Sequence, residues 1–164
     1  MRTRIAALLA LIVLVGAAAW QWHADEADAR AHTLTPLDPD AIGHVTVALR
    51  GAPLQHFERR NGHWVSPEGH TDQGRAGELA GLAATPVASW QPASDFDAAK
   101  IGLAPPLAVL TLDDVRIEFG EMTALGKQRY VRIGNRIAFV PAQALPRAPR
   151  TASLPTTATT TATP

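Results

Sequence analysis

Three histidines spaced seven residues apart, His56, His63 and His70, have the most obvious capacity for chemistry in this chain, and Glu58 lies among them. Imidazole and carboxylate both ligate zinc, but the ligands must converge to about 2.0–2.2 Å from one ion. The intervening Asn61-Gly62 is a strong short hairpin signal. A two-residue turn there sets Arg60 opposite His63 and Arg59 opposite Trp64. His56 and His63 then lie four residues apart along extended backbone, roughly 13 Å at about 3.3 Å per residue. Arg60 beside them repels a cation. The pattern predicts histidines on a polar sheet face rather than a metal centre.

The acidic pair Asp113-Asp114 has the composition of an acid–base couple. It sits between two alternating strands, and because Asp tolerates positive φ the pair predicts a type I′ turn. Glu118 and Glu121 lie close to a strand end, and nothing in the sequence marks either as buried. Gly126-Lys127 lacks the spacing and the following Ser or Thr of a phosphate-binding loop. No nucleophile elbow or His-Glu-x-x-His motif occurs. Trp64 and Trp90 are candidates for the wall of a ligand groove, although indoles in a small domain are more often core. No catalytic, cofactor-binding or metal-ligating residue is assigned, and the chain reads as non-enzymatic.

Several elements must position these groups. Asp38-Pro39 starts a helical turn, with Asp38 as its cap. His44–Leu49 alternates at strand period, with Val45, Val47 and Leu49 on one face. Leu54–Arg60 and His63–Val65 form the hairpin around Asn61-Gly62, and Phe57 and Trp64 share its buried face. Thr71 or Asp72 caps a helix to about Ala84, whose Ala76, Leu79, Leu82 and Ala83 recur at helical spacing. Gly74, Gly77 and Gly81 each weaken that helix by about 1 kcal/mol relative to alanine. A second short helical turn is expected from Asp95 through Lys100. Strands follow at Leu107–Leu112, Val115–Phe119, Gln128–Ile133 and Arg136–Val140, the last two joined at Gly134-Asn135. The alternation of Val115, Ile117 and Phe119 with Arg116 and Glu118 marks antiparallel strands with one wet face.

The amino-terminal end differs from this body. Arg2 and Arg4 precede Ile5–Trp20, sixteen residues without a charge, and Asp25, Glu26 and Asp28 follow. This length falls between a signal-peptide core of about 7–15 residues and a span of roughly 20 residues. Trp20 and Trp22 suit the interface of a retained anchor, whereas Ala17-Ala18-Ala19 suits cleavage and release. Basic residues remain cytoplasmic, so the body is expected on the far side of the inner membrane, in the periplasm. Residues 1–22 are thus read as a signal-anchor or transmembrane segment, 23–33 as a stalk and 34–146 as one domain. The Thr/Pro/Ala-rich 147–164 reads as a disordered tail. Fifteen basic and fifteen acidic residues give a net charge of zero, which argues against nucleic acid as a partner. The absence of cysteine removes disulfide and thiolate chemistry.

Ala98-Ala99-Lys100-Ile101-Gly102-Leu103-Ala104-Pro105-Pro106, then Glu118-Phe119-Gly120, then Leu125-Gly126-Lys127-Gln128-Arg129-Tyr130-Val131-Arg132 and a Gly-Asn turn into Ile137–Val140 form a recognisable run. The chain resembles the bacterial family of unknown function DUF4340 over most of the body. The resemblance implies an envelope protein with an amino-terminal membrane helix. It also implies a non-enzymatic accessory role, in some members beside an ABC transporter. It supplies no catalytic residues.

The expected fold is α+β, with two or three antiparallel β-hairpins covered on one face by a short helix near Ala76–Ala83, preceded by a single transmembrane helix. The expected function is a membrane-anchored periplasmic interaction module with an envelope protein partner. The alternative is a periplasmic small-molecule or glycan-binding domain using a cleft beside Trp64 or Trp90.

Overall fold

The computed structural model describes residues 32–67 and 73–147. His70, the cap candidates Thr71 and Asp72, the anchor, all of the stalk before His32 and the tail beyond Arg147 lie outside the described residues. Among the described residues no helix is long and apolar enough to cross a membrane.

Eight antiparallel strands form one sheet, accompanied by one short helix among the described residues. The strands are β1 (His44–Leu49), β2 (Gln55–Arg60), β3 (His63–Val65), β4 (Ser89–Pro92), β5 (Ala108–Leu112), β6 (Val115–Met122), β7 (Gln128–Ile133) and β8 (Arg136–Pro141); the helix is α1 (Gln73–Gly81). The order across the sheet is β3-β2-β1-β5-β6-β7-β8-β4.

The hairpin register follows from its turn. Asn61 and Gly62 take φ of 52° and 79°, and Arg60 pairs with His63 and Arg59 with Trp64. Phe57 and Trp64 are both 5% exposed and share the core face. At Asp113-Asp114 the expectation of a type I′ turn needs correction. That turn requires positive φ at both central residues, but outside glycine only Asn61 and Asp113 adopt it among the described residues.

Two layers cover the sheet, one on each face. On the first, Val45, Val47, Leu110, Leu112, Ile117, Phe119, Val131 and Val140 are fully buried, and Ala76, Leu79 and Ala80 of α1 pack against them. Burying Leu79 contributes about 2 kcal/mol, enough to offset roughly two of the helix's glycines at about 1 kcal/mol each. The helix ends at Gly81 and tightens into a 3-10 turn at Leu82–Ala84 before Thr85 turns extended. On the second face Ile101, Leu103 and Ile137 form a smaller cluster with Phe96, Tyr130 and Phe139. Tyr130 and Phe139 meet edge to face and Phe96 is tilted against both, with centroids 5.2–6.0 Å apart.

The segment from α1 to β5 supplies both layers. It lays the helix on one face, pairs β4 with β8 at the far edge, and returns across the opposite face through residues 93–107. The expected helical turn capped by Asp95 is displaced. A 3-10 turn occupies Ala93–Asp95, and Asp97 is the capping residue, its Oδ1 accepting the Ala99 N–H at 3.0 Å. The carboxylate must stand two residues before the N–H it accepts, and Asp97 holds that position.

The return crossing is pinned by two glycines. The Glu121 N–H donates to the Ile101 carbonyl at 2.9 Å, which draws the two backbones together. A Cβ on Gly120 would stand 2.4 Å from that same carbonyl oxygen, and one on Gly102, at φ +70°, would stand 2.4 Å from Cγ of Glu121. The site on Gly77, exposed in mid-helix, is open. Gly120→Ala should therefore lower the unfolding free energy by about 2–3 kcal/mol through overpacking. Gly77→Ala should raise it by about 1 kcal/mol. Urea unfolding followed by tryptophan fluorescence measures both, and a Gly120→Ala protein as stable as the parent would refute the tight crossing.

Candidate functional site

Strand alternation determines which polar groups meet. His44, Thr46, His56, Glu58, Arg60, His63, Thr111, Arg116, Glu118 and Arg132 fall on the sheet face opposite the helix, by the pairings His44 with Glu58, Thr46 with His56 and Thr111, and Glu118 with Arg132. The 93–107 crossing covers this face only toward β7 and β8, where Tyr130, Ile137 and Phe139 lie beneath it. Toward β3 the face carries exposed His44, His56, Arg60 and His63. This polar surface is the candidate site.

Glu118 is its most constrained member, at 8% exposure. Its carboxylate accepts Nε of Arg116 at 2.9 Å and Nε of Arg132 at 2.7 Å, with a second contact from Nη2 of Arg132. Nothing in the local sequence marks this burial. Two guanidinium groups hold the carboxylate in one orientation, because charge-assisted hydrogen bonds are roughly twice as strong as neutral ones.

Nearer the β3 edge, Arg60 donates to Oε2 of Glu58 at 2.7 Å. That hydrogen bond holds the Glu58 carboxyl below its ordinary 4.5 against desolvation, with lesser help from the charges of Arg60, His44 and His56; the same bond raises Arg60. A shallow depression of about 410 Å³ lies beside them, lined by Glu58, Arg60, Val65, Ser66 and Pro67.

His56 and His63 share this face as expected, but His56 is engaged by Thr46, with Nδ1 2.7 Å from Oγ1. Among the described residues no group of three or more His, Asp or Glu is placed to hold a metal ion. Asp113 is structural. Its Oδ1 accepts the N–H groups of Gly43 at 3.1 Å and His44 at 2.8 Å, and its own N–H donates to the His44 carbonyl at 2.9 Å. The β5–β6 turn thereby clamps the start of β1. Asp114 and Glu121 are exposed. Gly126-Lys127 forms the β6–β7 tip, with the Gly126 N–H donating to Thr123 at 2.8 Å. Trp64 is core, with the Arg59 guanidinium 5.5 Å from its ring centroid. Trp90 is half-buried beneath Arg136, 4.4 Å away.

Arg129 is a buried cation that sequence reading missed, since it sits on the apolar face of β7 between ordinary strand residues. The register shift between Phe119 and Met122 interrupts the β6–β7 ladder. Arg129 donates to the Gly120 carbonyl at 2.5 Å and to Ala142 at 3.3 Å. Burial lowers its pKa, partly offset by the charge of Glu121.

Two outcomes test this geometry. Glu118→Ala removes the carboxylate that holds half-buried Arg132, exposed Arg116 being taken up by water, and should cost about 1 kcal/mol by urea unfolding; an unchanged midpoint would show that the clamp carries no weight. Glu58 has a depressed folded pKa, so its contribution is present above the ordinary value and lost as pH falls through the folded one. NMR titration should place the Glu58 midpoint below 4.5, and Arg60→Ala should return it toward that value. No family model matches the chain, and neither a curated protein nor a solved structure matches it.

Proposed function

We propose that this protein is a membrane-anchored, periplasm-facing interaction module that assists an envelope protein complex and catalyses no reaction itself. The anchor reading rests on Ile5–Trp20, flanked by Arg2 and Arg4 before it and by Asp25, Glu26 and Asp28 after it. That charge asymmetry favours export of the body.

The observation that carries the interaction reading is that the polar groups of the open sheet face are engaged with one another. Glu118 is held by Arg116 and Arg132, Glu58 by Arg60, and His56 by Thr46. Groups fixed in this way form a rigid, patterned surface of both charge signs. Such a surface favours specific docking, because complementary charges set register and reject wrong partners.

The residues that carry the DUF4340 resemblance pack together. Gly102 and Leu103 meet Gly120 and Glu121, Arg129 donates to Gly120, Tyr130 joins the cluster over β8, and Arg132 grips Glu118. The run thus reads as one structural cassette, and the accessory role is extended from the resemblance.

Position-specific photo-crosslinking in intact cells tests the proposal. A crosslinker at Thr111 or His63, on the polar face, is expected to give one discrete adduct. The same crosslinker at Glu78, exposed on α1, should give none. Adducts of equal yield at all three positions, or at none, would count against a docking face here.

A further inference from the structure

We infer that the loop end of the sheet rests on the membrane surface, with Leu54, Met122 and Leu125 seated at the headgroup boundary; the inference depends on the anchor reading above. The two ends of the sheet differ in chemistry. Asn61-Gly62, Asp113-Asp114 and Gly134-Asn135 close one end with polar two-residue turns. At the other end are the β1–β2 loop, the entry to β5 and the β6–β7 connection. Among the described residues the exposed large hydrophobics are Leu54 at 64%, Met122 at 54% and Leu125 at 86%, and all three lie at this loop end. Their two loops stand three strand spacings apart, about 14 Å. Arg50 and Lys127, both exposed, flank them, and one acidic residue, exposed Glu121, adjoins Met122. A shallow depression of about 450 Å³, lined by Leu107, Met122 and Arg129 among others, lies behind Met122. Apolar side chains with basic neighbours fit the boundary between acyl chains and anionic headgroups.

The tether favours a bilayer over a soluble partner. Eleven residues, 21–31, separate Trp20 from His32, so even fully extended they reach at most about 40 Å. The described chain enters beside β4, where the His32 carbonyl accepts the Val87 N–H at 2.7 Å. β4 begins with Ser89 opposite Phe139 and runs away from the loop end. An entry there attaches the tether at the loop end, and not at the acidic Asp113-Asp114 end. Tethering also makes an individually weak apolar contact effectively intramolecular.

The full chain contains no cysteine, so single-cysteine labelling is direct. Full-length protein carrying Leu125→Cys, Leu54→Cys, Asp114→Cys or Leu14→Cys, each labelled with an environment-sensitive fluorophore, is reconstituted in phosphatidylethanolamine/phosphatidylglycerol vesicles with shallow spin-labelled lipid, or with deep spin-labelled lipid for position 14. Labels at positions 125 and 54 should shift to the blue and lose emission by about two-fold or more, while the label at 114 stays unchanged. A label at 14 that is quenched while those at 125 and 54 behave like 114 overturns the docking and leaves the anchor standing. A blue shift at 125 without lipid quenching assigns the loops to a protein surface, such as a second copy, and also overturns it. An unquenched label at 14 overturns the anchor reading and this inference together.

Discussion

The pairing of β1 with β5 is the constraint on which the rest of the structure depends. Val45 through Leu49 lie against Leu112 through Ala108 in unbroken antiparallel register. This seam joins β3-β2-β1 to β5-β6-β7-β8-β4. Between its two strands the chain forms α1, reaches β4 at the far edge and returns over the second face. Closing so long a connection costs entropy before any contact is gained. The return comes from the buried apolar face, where Val45, Val47, Leu110 and Leu112 are fully inaccessible. Asp113 adds a polar clamp at one end of the seam, holding Gly43 and His44. The Arg50 N–H donating to the Leu107 carbonyl at 3.0 Å holds the other.

Continuity across that seam gives the polar face its meaning. Were the two strand groups independent, His56, Glu58 and Arg60 would hold no fixed relation to Arg116, Glu118 and Arg132. Joined, they form one surface whose charged groups pair within it. The exposed pair of Glu58 and Arg60 contributes little to stability, whereas the Glu118 carboxylate is buried. The effect of both is positional. The buried Arg129 serves the same rigidity on the opposite face, tying β7 to carbonyls of Gly120 and Ala142 around the bulge.

Local chemistry was legible and long-range chemistry was not. Asn61-Gly62 revealed the hairpin, its register and the shared face of Phe57 and Trp64, because a two-residue turn leaves one pairing. Ala76, Leu79 and Ala83 revealed the helix by spacing. β4 went unread, since Ser89-Trp90-Gln91-Pro92 is short, ends in proline and owes its pairing to β8. The antiparallel sheet of hairpins was legible, but its order across eight strands was not, because nothing local in Val45–Leu49 names Ala108–Leu112 as its partner. Glu118 and Arg129 were unrecognised as buried because alternation assigns a residue to a face without saying what covers that face. The misplaced cap at Asp95 was an error of two residues in a segment whose path is decided by Gly102 and Gly120.

Native-state hydrogen exchange tests the seam most directly. If β1–β5 pairing makes the sheet a single cooperative body, the amides of Val45, Val47, Leu110 and Leu112 will exchange most slowly. The protected amides of β2 and of β7 will then open with the same free energy and the same denaturant dependence as those four. Should β1 and β2 open together at markedly lower free energy while β5 to β8 stay protected, the two strand groups are independent and the account fails.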